Sequence, residues 1–114
     1  TGALITLTFN GDVKNLRIMN NAANEQMRFS KPQPFYATER LVIDSRDGRR
    51  SITHINSQNL YSAEYGVQSW DSTWMYVYPG INDFAIEYQT AFGYTATGEL
   101  VEMTVEYEPQ YRGV

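Results

Sequence analysis

The chain has one histidine and no cysteine, and those two facts settle most of the chemistry open to it. A serine–histidine–carboxylate triad needs a nucleophile set against His54, and none of the serines lies in a nucleophile-elbow context. His54 shares strand parity with Ile52, the pattern of a strand histidine packed against a sheet or at its rim. A zinc centre needs three or four converging His, Cys or carboxylate ligands, which a single histidine does not supply. Glu102, Glu106 and Glu108 fall on one face near the end of the chain. Paired carboxylates suit glycoside hydrolysis or calcium, but regular alternation with apolar residues is what a solvated strand face gives. No phosphate-cradling glycine loop is present, because Gly80, Gly93 and Gly98 stand at separate turns. The sequence therefore offers no catalytic, cofactor-binding or metal-binding residues.

Aromatic residues are the remaining candidates. Tyr61, Tyr65, Trp70, Trp74, Tyr76 and Tyr78 crowd one stretch. Aromatic faces stack on sugar rings, which makes Trp70 and Trp74 the candidate ligand-stacking residues of a carbohydrate-binding module. Against this, a small domain must bury one sheet face, and aromatics dominate core burial. Parity places Trp74, Tyr76 and Tyr78 on one face, with Trp74 expected in the core.

The elements that must hold these residues are strands. Ile5, Leu7 and Phe9 alternate with Leu4, Thr6 and Thr8, and Asn10-Gly11-Asp12 then turns the chain. Leu16 and Ile18 mark a second strand ending at Asn20-Asn21, and Met27 to Phe29 a short third, closed by Lys31-Pro32-Gln33-Pro34. The clearest hairpin runs from Arg40–Asp44 through Asp47-Gly48 to Arg50–Asn56. Residues 57–72 read as irregular and polar, with room for a short helical turn. Trp74 to Tyr78 reads as a strand broken by Pro79-Gly80, followed by Phe84, Ile86 and Tyr88 on one face. In the last strand Val101, Met103, Val105 and Tyr107 are expected inward, against Glu102, Thr104, Glu106 and Glu108 outward. The expected core is Ile5, Leu7, Leu41, Ile43, Trp74, Phe84, Ile86, Val101, Met103 and Val105.

About eight short strands with turn signals between them predict an all-β sandwich or barrel. At 114 residues the chain encloses one modest core, so a single domain over 1–114 is expected. A net charge of −4 argues against a nucleic-acid partner. The apolar runs are far too short to span a bilayer, so no membrane insertion is expected.

Pro79 fixes its φ for a first turn corner, Gly80 takes positive φ at the next, and Asn82 can bond nearby backbone. Pro79, Gly80 and Asn82 thus form a structural motif, preceded in the chain by Trp74. Together with the Leu41–Asp44/Ser51–Asn56 hairpin and the ending Val105-Glu106-Tyr107-Glu108-Pro109-Gln110-Tyr111-Arg112-Gly113-Val114, it resembles the C-terminal domain of the distal tail protein of siphophages and prophages, over roughly residues 40–114. Ser57 departs from the family, which often has glycine there. The resemblance implies a galectin-like or jelly-roll sandwich that is the C-terminal part of a longer tail protein. It implies a non-enzymatic structural component of the tail tip, with no cofactor, located in the virion and assembled in the bacterial host cytoplasm. The implied partners are adhesion, receptor-binding or baseplate proteins. The isolated domain is expected to be monomeric and the full-length protein a hexameric ring. The alternative is a carbohydrate-binding module that recognises cell-surface polysaccharide.

Overall fold

The computed structural model describes residues 2–29, 33–46, 50–63, 74–90, 95–96 and 100–107. Nine strands form two antiparallel sheets among these residues, with no helix. In β1 (Leu4–Phe9), Ile5, Leu7 and Phe9 are fully buried and the intervening residues are half-exposed, as period-two alternation requires. β1 lies between β4 (Arg40–Asp44) and β9 (Val101–Glu106), with Ile5 opposite both Ile43 and Val105. β5 (Ser51–Ile55) completes the expected hairpin with β4, in a register that sets Ile43 opposite Ile52. β6 (Tyr61–Ala63) ends this five-stranded sheet.

The second sheet is built on β2 (Val13–Asn20), flanked by β3 (Glu25–Phe29) and β7 (Phe84–Thr90), with β8 (Thr95–Ala96) beyond β7. The β2–β7 register slips between Lys14 and Arg17, where Asn15 takes a left-handed φ of 50°. Asparagine tolerates that conformation better than most residues, and it marks a bulge. One contiguous core joins the sheets: Ile5, Leu7, Leu41 and Ile43 from the first meet Leu16, Ile18, Met27 and Tyr88 from the second. Phe35 reaches in from the loop before β4 and stacks on Phe9 with ring centroids 4.8 Å apart. The architecture is a β-sandwich.

Several expectations need correction. Trp74 to Tyr78 forms no strand; only Tyr76 bridges, to Gly2. Its parity is also reversed, since Met75 and Val77 are buried while Trp74 and Tyr76 are half-buried and Tyr78 is exposed. The expected irregular stretch contains β6, and the remaining residues from 64 to 72 lie outside the described part, as do Asp47 and Gly48. Phe84, Ile86, Met103 and Val105 pack against the core but are only half-buried. The reason is position: among the described residues β9 has a neighbour on one side only, and β8 covers only one end of β7. Tyr107 lies beyond the end of β9 and is exposed rather than inward.

Candidate functional site

The polar groups concentrate around the turn from Tyr78 to Asn82. Gly80 has φ of 90°, a conformation that disfavours a side chain. No atom lies within 4 Å of where its Cβ would stand, so backbone shape alone calls for glycine. Asn82 closes the turn reciprocally: its Oδ1 accepts the Tyr78 N–H at 3.0 Å, and its Nδ2 donates to the Tyr78 carbonyl at 2.9 Å. Such side-chain bonds replace the ladder partners that an irregular segment lacks.

Two residues from the second sheet fix this turn in place. Asn20, fully buried at the end of β2, donates through Nδ2 to Asn82 Oδ1 at 3.1 Å and to the Tyr76 carbonyl at 3.3 Å. Its Oδ1 accepts the Asp83 N–H at 3.1 Å. Glu25 on β3 accepts the Tyr76 N–H through Oε1 at 3.1 Å and the Tyr78 hydroxyl through Oε2. That hydroxyl bond, with partial burial and the carboxylate's charge, pushes the Tyr78 phenol up to about 12. Arg50 donates to the Tyr76 hydroxyl at 2.7 Å, and the two tyrosine rings meet edge to face at 6.4 Å. The sequence identifies the turn itself but gives no sign of Asn20 or Glu25, whose bonds span more than fifty residues.

Trp74 lies beside this network, half-buried and packed against the core. Trp70 lies outside the described residues. The structure therefore places Trp74, Pro79, Gly80 and Asn82 on one segment at one end of the sandwich.

His54 is elsewhere. It is buried on β5, its Nε2 is 3.2 Å from Glu39 Oε1, and its ring meets the edge of Phe35 at 5.6 Å. Glu39 Oε1 also accepts the Tyr36 N–H at 2.7 Å. Ser62 stands across from His54 in the β5–β6 register. Ser45, buried, donates to the Met75 carbonyl at 2.6 Å and accepts the Ala3 N–H at 3.0 Å, so it ties three segments together. Among the described residues no cluster of three or more His, Asp or Glu could hold a metal ion. Glu102 and Glu106 are exposed on β9, and Glu108 lies outside the described residues. The polar chemistry on view joins backbone segments to one another.

Searches of curated proteins and of solved structures find no match to the chain. A family match does emerge, and it reaches further towards the N-terminus than the motifs after residue 40. The structure explains that reach, because β1 and β2 are interior strands of the two sheets and the later strands have no sandwich without them. From residue 1 to residue 111 the chain matches the family of siphovirus-type tail components, C-terminal domain, and it belongs to that family.

Proposed function

We propose that this domain is a non-enzymatic structural element of a phage or prophage tail tip, and that it anchors adhesion, receptor-binding or baseplate proteins. Family membership over nearly the whole chain carries this reading. The use of the polar side chains supports it: Asn20, Glu25, Ser45 and Asn82 all hold backbone, which favours a rigid scaffold working by surface complementarity. In this reading the domain is the C-terminal part of a longer protein that assembles in the host cytoplasm into a ring of six. The 114 residues alone are monomeric, and Trp74, Pro79, Gly80 and Asn82 act as a structural motif. Recognition of a glycan through Trp70 and Trp74 is less favoured, because Trp74 packs against the core.

The test is location. Immunogold labelling of purified virions with antibody to this domain should decorate the distal tip of the tail. Tails that carry no label, with the protein found only in the lysate of the host, would refute the assignment. Saturable quenching of tryptophan fluorescence by cell-wall glycans would favour sugar binding instead.

A further inference from the structure

The sandwich is closed unevenly along one flank. β8 pairs only with Tyr88 and Gln89, so among the described residues no strand covers the outer edge of β7 from Phe84 to Glu87. β9 is likewise the last strand of its own sheet. Between these two edges opens a groove of about 430 Å³, lined by Met19, Phe84, Ala85, Ile86 and Met103. Phe84, Ala85, Ile86 and Glu87 are all half-exposed, whichever face they take.

We infer that this groove receives an extended segment of a second tail protein as an added strand along β7. Strand addition draws affinity from main-chain hydrogen bonds and selectivity from pockets for alternate side chains. The edge of β7, unpaired from Phe84 to Glu87 among the described residues, supplies the first and the apolar lining the second. Met19 and Met103 suit such a surface, since methionine adapts its shape to what it meets.

Charge narrows the occupant. The only charged residues on β7 and β9 are Glu87, Glu102 and Glu106, and Asp83 immediately precedes β7. Arg17 lies 3.9 Å from Glu87 on the neighbouring strand and offsets one of these carboxylates. The edges remain acidic, so the fitting segment alternates apolar side chains and carries Lys or Arg at its flanks. A second copy of this chain would set like charges together along the same edges and is excluded on that ground. That the partner is a tail protein rests on the proposed function; the chemistry of the groove does not.

A random peptide library of about twelve residues, long enough at ~3.4 Å per residue to run the length of β7, tests the inference on the immobilised 114-residue protein. Enriched peptides should alternate apolar residues between basic flanks. On binding they should shift the amide resonances of Phe84–Glu87. Methylating two of a peptide's backbone nitrogens should weaken it about ten-fold or more, the loss of two hydrogen bonds. Ala85→Lys, at a half-exposed lining position outside the core cluster, should abolish enrichment while leaving the thermal transition intact. If that variant fails to fold, the resonance map and the methylated peptides still decide. Failure to enrich any peptide, enrichment of acidic ones, indifference to methylation, or shifts away from β7 would each overturn the inference. None of those results bears on whether the protein is found at the tail tip, which the immunogold experiment reads separately.

Discussion

Replacing Asn20 with alanine should destabilise the domain by about 3 kcal/mol. The side chain makes three hydrogen bonds, two at 3.1 Å and a longer one at 3.3 Å, and it is fully buried. A hydrogen bond contributes roughly 0.5–1.5 kcal/mol net, and a buried group stripped of its partner costs more. The two shorter bonds account for about 2 kcal/mol, and the Tyr76 carbonyl and Asp83 N–H left behind add about 1. Asn82 Oδ1 keeps the Tyr78 N–H, which limits the loss. Urea unfolding is the assay. With a slope of about 1–3 kcal/mol/M, the midpoint should fall by roughly 1–3 M at unchanged slope. Asn82→Ala should cost about 1–2 kcal/mol, and the double variant should fall short of the sum by about 1 because the two share a bond. A loss below about 0.5 kcal/mol for Asn20→Ala, well under one buried hydrogen bond, would refute the view that this residue holds the 76–83 segment to the second sheet.

Three further outcomes follow from the same structure. Gly80→Val should cost about 1–2 kcal/mol through backbone strain alone, since the space around it is open; a variant as stable as the parent in urea would mean the turn has no positive φ there. Tyr78 is raised to about 12 in the folded state, so its contribution is complete below the usual phenol value near 10 and is lost as pH climbs through 12. Allowing for a ring that is 38 % exposed, that contribution is on the order of 1 kcal/mol. The difference in alkaline absorbance between parent and Tyr78→Phe should titrate late, and a step near 10 would contradict the Glu25 contact. Phe35→Ala removes the stack on Phe9 and the ring beneath His54, and should cost about 3–5 kcal/mol in thermal or urea unfolding. Near-parent stability would show that the loop before β4 is not part of the core.

What the sequence made legible was decided by whether polar and apolar residues separate cleanly. β1, β4 and β5 each bury one face, so their alternation could be read directly. In Trp74–Tyr78 both sets of positions are apolar or aromatic, and parity cannot tell inside from outside. Met75 and Val77 took the core because they need no partner, while Tyr76 and Tyr78 kept their hydroxyls on Arg50 and Glu25. β6 and β8, with three and two residues, are too short to show any period and exist only through the strands they pair with. The Pro79-Gly80 turn was legible because proline fixes its own φ and glycine readily takes the positive φ that follows. Its supports were hidden: Asn20 reads as a loop residue at a strand end, and Glu25 as an ordinary surface acid. Only the folded chain brings them to the turn.

The pairing of β1 with β9 has a consequence for how the domain comes into being. Leu4 sits opposite Glu106, so the first strand of the domain must wait for its last. β1 is also the strand that joins β9 to the rest of its sheet, and β2 reaches β7 only after some sixty residues of intervening chain. A growing polypeptide can form the β4–β5 hairpin early, but the five-stranded sheet stays incomplete until β9 has been made. Topologies dominated by such distant pairings fold in roughly milliseconds to seconds, slowly for a domain this small. Until β9 arrives, the edge of β1 that it will cover stays unpaired and open to strands of neighbouring chains.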